Sequence, residues 1–211
     1  MKVKKVNGGI FMEVKIYTVG QLQTNCYFVI NNKQCLIIDP GDEADFLLEK
    51  ISLLQLQPLA LLATHGHFDH LMAVGEIQKS WAIPLYLDRR DWFLLKRLNS
   101  TAVYFLGYDP GCLPPSQVYD LETNQLKIAD FEFEIIYTPG HTPGGCSFYF
   151  QKDQVIFSGD VIFKNGIGRY DFSYSNKTDL DASISTLLNL PKKTVIYPGH
   201  ADKLVVADVH F

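Results

Sequence analysis

The sequence has no apolar run near the roughly 20 residues that a helix needs to cross a bilayer. Its longest apolar stretches, 46–56 and 58–64, are short or interrupted by charge. This excludes a helical membrane span. Positive charge is not in surplus either. There are 19 Lys and Arg against 23 Asp and Glu, a formal charge of −4. Nucleic acid is therefore not an expected partner, because phosphate-binding proteins show a basic surface. Cysteine is sparse: Cys26, Cys35, Cys112 and Cys146, with no C-x-x-C pair. The thiols therefore read as packed and reduced in a cytoplasmic protein rather than as a disulfide scaffold. Repeats and low-complexity tracts are absent. The basic N-terminus lacks the apolar core and cleavage site of a secretory signal. Residues 1–11 read as a dispensable extension ahead of a strand pattern that begins at Met12. Residues 12–211 read as one domain.

Histidine is scarce as well, six in 211 residues, but five of the six fall in three short motifs. These are Thr64-His65-Gly66-His67-Phe68-Asp69-His70, Thr138-Pro139-Gly140-His141 and Tyr197-Pro198-Gly199-His200. Phe157-Ser158-Gly159-Asp160 adds a carboxylate between the last two, and only His210 stands apart. Imidazole and carboxylate are the donors that zinc, iron and manganese accept. Burying five imidazoles and two carboxylates without a cation would cost several kcal/mol for each unpaired group. His65 and His67 alternate by two, so one extended segment projects both toward one ion. Asp69 and His70, where the chain turns, face a second. His141 and His200 complete one ion each, and Asp160 has two oxygens with which to bridge them. Seven ligands for two divalent metal ions leave coordination positions open, as catalysis requires.

The surrounding pattern is α/β. Val14–Val19, Cys26–Ile30 and Cys35–Ile38 read as strands, the last two joined by the hairpin signal Asn31-Asn32-Lys33-Gln34. Amphipathic helices are expected over Glu43–Leu56, after Asp69 with Leu71, Val74 and Ile77 on one stripe, over Arg89–Leu98 and over Thr178–Leu190. Leu59–Ala63 is a strand running into the first histidine motif. Further strands are expected at Pro84–Leu87, Phe131–Tyr137, Cys146–Phe150, Val155–Phe157 and Thr194–Tyr197, with Val205–Val209 closing the sheet. Residues 100–117 show no period and are rich in aromatics. They read as a surface loop or a hydrophobic wall over the site. Two β-rich halves, each ending in helices, predict two sheets with helices outside.

H-x-H-x-D-H followed by Gly-His, Gly-Asp and Gly-His resembles the metallo-β-lactamase superfamily, from Asn25-Cys26-Tyr27 and Asp39-Pro40-Gly41 to Pro198-Gly199-His200. The resemblance implies a four-layer αββα sandwich of two mixed β-sheets. It implies that His65, His67 and His141 hold one metal, that Asp69, His70 and His200 hold the other, and that Asp160 bridges. Within the superfamily, Thr138–Gly144, Gly159–Phe163 and Gly166-Ile167-Gly168-Arg169 are similar to the glyoxalase II-like hydrolases. The aspartate at 160, where many zinc β-lactamases carry cysteine, argues against lactam hydrolysis. With the sequence ending eleven residues after His200, the helical glutathione-gripping domain of full-length glyoxalase II is not expected; the Glu-Tyr that follows the last histidine there is replaced by Ala201-Asp202, and Asp171 stands where a tyrosine is expected. It is most similar to the short, single-domain subgroup.

The implied activity is hydrolysis of a thioester such as S-D-lactoylglutathione, with two divalent metals, zinc first and iron or manganese also suited. Asp69 would orient the nucleophile and Asp160 would bridge. Arg169 would bind a substrate carboxylate or pair with Asp171, and Tyr170, Lys164 and the aromatics at 104–108 are further pocket candidates. Competing implications are a mononuclear iron persulfide dioxygenase, a lactone or ester hydrolase, and a metal-stabilised fold without catalysis. Neither the natural thiol nor the oligomeric state follows from the sequence.

Overall fold

The structure is a computed structural model and describes residues 12–209. The proposed extension 1–11 and His210 lie outside the described residues. Strands β1 (Glu13–Val19), β2 (Thr24–Asn31), β3 (Gln34–Ile38), β4 (Gln57–Leu62), β5 (Leu85–Tyr86) and β6 (Val118–Tyr119) form the first sheet in chain order. β1–β2–β3 pair antiparallel through tight turns, and β3–β4–β5–β6 pair parallel. The second sheet uses β7 (Gln125–Ile128), β8 (Phe131–Tyr137), β9 (Cys146–Phe150) and β10 (Val155–Gly159). A small hairpin of β11 (Ile162–Phe163) and β12 (Gly166–Ile167) follows, then β13 (Val195–Pro198) and β14 (Leu204–Val205). Its order is β14-β13-β10-β9-β8-β7. Among the described residues its only parallel pair is β10 with β13, whose crossover carries a helix, as parallel pairing requires.

Strand alternation sorts the side chains into layers. Phe28, Ile37 and Leu61 face one way, against Leu47 and Ile51 of α1 (Ala44–Leu53) and Val74 and Ile77 of α2 (Val74–Ser80). Tyr27, Val29, Leu36, Ile38 and Leu62 face the other way and meet Phe133, Ile135, Phe148 and Phe157 of the second sheet. These strands are buried on both faces, which is why they read as continuous apolar runs. The far side of the second sheet, through Tyr149, Ile156 and Ile196, packs on Leu180, Ile184 and Leu187. Each such side chain contributes about 1.5–3 kcal/mol of burial. The result is the expected αββα sandwich. No helix among the described residues is long and apolar enough to cross a membrane.

The helical expectations need correction in three places. The segment Arg89–Leu98 is not one helix. It is a 3-10 turn at Arg89–Asp91, a single turn α3 (Trp92–Leu95), and the start of α4 (Leu98–Leu106). That last helix occupies part of the stretch read as irregular. Only Leu98 and Ala102 are buried on it, whereas Val103, Tyr104 and Phe105 are exposed. A helix with apolar residues on its outer face shows no amphipathic period. After Asp69 the chain makes a 3-10 turn at Phe68–His70, and α2 begins only at Val74. The expected Thr178–Leu190 helix runs Lys177–Leu188 as α5 and is capped by Asn176, whose side chain accepts from the Asp179 N–H.

Candidate metal centre

β4, β8, β10 and β13 all end at one edge of the sandwich, and each delivers part of the site from the loop that follows it. There the two sheets are tied together. Asn25 N–H donates to the Gly199 carbonyl at 2.7 Å, Thr24 bridges His200, and Cys146 N–H donates to the Thr64 carbonyl at 2.8 Å. The Tyr27 hydroxyl and the Asn25 amide also donate to the Pro198 carbonyl. The loops therefore rest on backbone held at both ends.

All seven predicted donors converge. His67 Nδ1 lies 3.1 Å from His65 Nε2 and 2.9 Å from His141 Nε2. Asp69 Oδ2 lies 3.5 Å from His70 Nε2 and 3.4 Å from His200 Nε2. Asp160 stands between the two groups. Its Oδ1 is 3.6 Å from His70 Nε2, and its Oδ2 is 3.5 Å from both His141 Nε2 and His200 Nε2. Three sets of donor atoms are close enough together to hold an ion: His65/His67/His141, His65/His70/Asp160 and Asp69/His70/His200.

The outward nitrogens fix which atoms face inward. His141 Nδ1 is 2.7 Å from the Arg169 carbonyl and His200 Nδ1 is 3.1 Å from the Leu22 carbonyl, so each must carry hydrogen there. Thr64 Oγ1 donates to Asp39 Oδ2 at 2.7 Å, which leaves its oxygen to accept from His65 Nδ1 at 3.0 Å. His67 Nε2 meets the Tyr174 hydroxyl at 2.8 Å. His65 Nε2 and His67 Nδ1 face each other at 3.1 Å, and inward lone pairs brought that close repel until a cation lies between them. Ligating histidines are ordinarily held by their other nitrogen in this way. His70 Nε2 and Asp160 Oδ1 are buried without a hydrogen-bond partner among the described residues. The donor set fits two divalent cations.

Electrostatics divides the cluster. Burial, with the neighbouring imidazoles, pushes His65 well below its ordinary value and His67 down to about 3, so both are neutral. Burial opposes charge on His70 and His200 too, but the carboxylates of Asp69 and Asp160 outweigh it. They raise His70 to about 9 and His200 to about 11. Burial would raise Asp69 and Asp160, yet the facing His70 and His200 hold Asp69 down at about 2 and Asp160 well below the carboxylate range. Metal-free protein at neutral pH thus carries protons on His70 and His200. Binding of an ion there must expel them. Calorimetric titration in buffers of different ionisation enthalpy should show net proton release on loading, and the affinity should rise as pH rises. Metal binding without proton release would contradict this charge arrangement.

Four residues that the sequence did not mark shape the site. Asp39 accepts from the Thr64 N–H and hydroxyl, both at 2.7 Å, and lies 3.1 Å from His70 Nδ1. The Thr24 hydroxyl donates to Asp69 Oδ2 at 2.9 Å. Tyr174 holds His67. Asp91 is fully buried and clamps two ligand loops. Its Oδ2 accepts from Gly66 N–H at 2.8 Å and the Thr142 hydroxyl at 2.7 Å, and its Oδ1 accepts from Gly144 N–H at 2.6 Å. Burial raises the Asp91 carboxyl, against the pull of those three donors. Asp39 alone stood in a motif quoted from the sequence, and there without a role.

Gly199 is required by space. A Cβ there would lie 2.1 Å from Asp160 Oδ1 and 2.7 Å from His70 Cε1. Gly199→Ala should lower metal affinity by about tenfold or more, the usual size of a displaced ligand shell. Equilibrium dialysis against a zinc chelator measures it, and wild-type affinity would contradict the packing described.

Beside the donors lies a cleft of about 270 Å³. Leu22, Phe68, Phe105, Phe172 and Tyr174 form its apolar walls, and Arg169 lies at its rim. Arg169 is thus at the site, paired with Asp171. Tyr170 and Lys164 do not line the cleft. Tyr170 is exposed under the Lys177 ammonium, and Lys164 is exposed 3.9 Å from Asp202. Phe105 of the expected 104–108 aromatic wall lines it, and Tyr104 and Tyr108 are exposed. Cys146 is buried with its Sγ toward the Ala63 and Thr64 carbonyls, a packing position. A larger open depression of about 630 Å³ around Asp88, Arg89, Arg90 and Tyr137 shares no residue with the donors, and its arginines are paired with Asp88 and Asp120.

Residues 19–200 match the family model described as the Metallo-beta-lactamase superfamily. A Bacillus subtilis protein named "Probable metallo-hydrolase YqgX" is 39% identical over 86% of this chain and 87% of its own. The Haemophilus influenzae hydroxyacylglutathione hydrolase GloC is 36% identical over 90% of this chain and 91% of its own. Among solved structures, BLEG-1 B3 metallo-beta-lactamase superposes with a TM-score of 0.85 at 36% identity, covering 93% of this chain and 95% of that one. TTHA1623 in a di-iron-bound form gives 0.85 at 35%, covering 92% and 96%. With seven histidine and aspartate donors gathered at one edge of an αββα sandwich, the chain belongs to the metallo-beta-lactamase superfamily and is a metal-dependent hydrolase of that family.

Proposed function

We propose that this protein is a dinuclear thioester hydrolase of the glyoxalase II-like kind. His65, His67 and His141 would hold one cation, and Asp69, His70 and His200 the other, with Asp160 shared. The observation that carries the reading is the placement of Asp160 within 3.6 Å of donors from both groups, beside an apolar cleft. When bound, such a cation pair supplies a water acidified toward neutral pH and an electrophile for a carbonyl oxygen. The chain's own residues do the rest. Asp69 turns Oδ2 to His70, His200 and Thr24, which leaves Oδ1 to accept from and orient the attacking water. Phe68, Phe105, Phe172 and Tyr174 keep bulk water from the reacting carbonyl. A thiolate leaving group has a pKa near 8.5 and departs without a general acid.

Similarity to a hydroxyacylglutathione hydrolase supports the thioester class. Zinc suits the donors, and similarity to a protein crystallised with two irons supports iron as well. Four free cysteines suit a cytoplasmic setting, and the acidic balance suits a small-molecule partner. The likeness to a protein named a B3 metallo-beta-lactamase favours a second reading, lactam hydrolysis. Metal analysis of purified protein, with kcat/KM on S-D-lactoylglutathione and on a cephalosporin, tests both. Thioester cleavage with little lactam cleavage is expected, and the reverse order would replace the first reading with the second.

A further inference from the structure

We propose that the cleft selects neutral, apolar thioesters, because Asp171 occupies Arg169, the one Lys or Arg side chain among the described residues lining it. The inference rests on the thioester reading and narrows it to a substrate class. Arg169 is engaged on its edge and its face at once. Nε and Nη2 donate to the two oxygens of Asp171 at 2.9 and 2.8 Å, the forked geometry that a substrate carboxylate would otherwise take. Its Cζ lies 4.4 Å from the Phe172 ring centre. Neighbouring cations are likewise committed: Lys177 lies 2.7 Å from Asp181, and Lys164 lies 3.9 Å from Asp202. A carboxylate-bearing thiol entering here meets Asp171 as a like charge.

What the walls offer instead is stacked aromatic surface. Phe68 and Phe105 stack with centroids 5.5 Å apart, and Phe172 and Tyr174 with centroids 5.4 Å apart. The surface continues outward: Phe105 is 48% exposed, Tyr104 beside it 81%, and Leu22 45%. An apolar patch at the mouth of a cleft marks a surface that a ligand covers, and aromatic walls reward flat or aliphatic groups rather than small polar ones.

The test uses zinc-loaded wild type and Asp171→Asn with lactoyl and phenylacetyl thioesters, each made on glutathione, which bears two carboxylates, and on uncharged N-acetylcysteamine. Calorimetric Kd values for the non-hydrolysable S-benzyl thioethers of both thiols give a readout independent of turnover. Wild type should prefer phenylacetyl to lactoyl and should take the neutral thiol at least as well as glutathione. Asp171→Asn should shift both kcat/KM and Kd toward glutathione by roughly threefold, the scale of one exposed ion pair. A wild-type preference for glutathione of about tenfold, or a thiol ratio that Asp171→Asn leaves unmoved, would overturn the proposal. Hydrolysis of none of the esters would overturn the thioesterase reading itself, and the Kd ratio would still decide the charge claim.

Discussion

Asp160→Ala should bind fewer than two metal ions per chain and lose roughly a thousandfold or more in kcat, the several kcal/mol of charge stabilisation that a metal pair supplies. The reason is placement. Asp160 is largely enclosed within reach of His70, His141 and His200, so its loss removes a carboxylate placed between the two donor groups. It also leaves Asp69 as the carboxylate facing His200, with Asp69 and Asp39 facing His70. Elemental analysis and single-turnover kinetics check it. Wild-type zinc occupancy in the variant would remove the bridging role.

Asp91→Ala should be the most damaging change at a residue with no place among the donors. Three donors, Gly66 N–H, Gly144 N–H and the Thr142 hydroxyl, would be left in a buried space without their acceptor. Each such loss costs about 1–3 kcal/mol, and no longer burying the Asp91 carboxylate offsets part of the sum, so about 3–5 kcal/mol of stability should go, which lowers Tm by roughly 10 °C in a chain of this size. The same clamp sets the loop carrying His65 and His67 against the loop carrying His141. Affinity at that triad should therefore fall about 10–100-fold. Asp91→Asn keeps one oxygen acceptor and should lose less of both. A variant Asp91→Ala with unchanged melting and metal binding would show that the loops hold themselves.

The gathering of the donors was more legible in the sequence than what holds them in place. His65 to His70, His141, Asp160 and His200 stand in motifs whose spacing reflects a shared target, so they could be read as one centre. Asp91 and Asp39 act on backbone and side chains 25 or more positions away, and nothing in a single chain marks a lone aspartate as buried. Tyr170 and Lys164 stand close in sequence to Arg169 and the Gly-Asp motif, which does not fix where they point. The chain past Arg169 instead turns Phe172 and Tyr174 inward and leaves Tyr170 in solvent. Strands buried on both faces were legible from unbroken runs such as Cys35–Ile38, because helices cover one side and the other sheet the second. α4 was hidden because its exposed side bears Tyr104 and Phe105, of which Phe105 lines the cleft. There the local signal of a helix is masked by exposed aromatics.

The central claim is that two cations share one carboxylate at the edge of the sandwich. Anomalous diffraction from zinc-loaded crystals, collected on both sides of the zinc edge, tests it most directly. Two peaks are expected, one among His65, His67 and His141 and one among Asp69, His70 and His200, with Asp160 touching both. A single peak, or two peaks with Asp160 turned away from either, would contradict it.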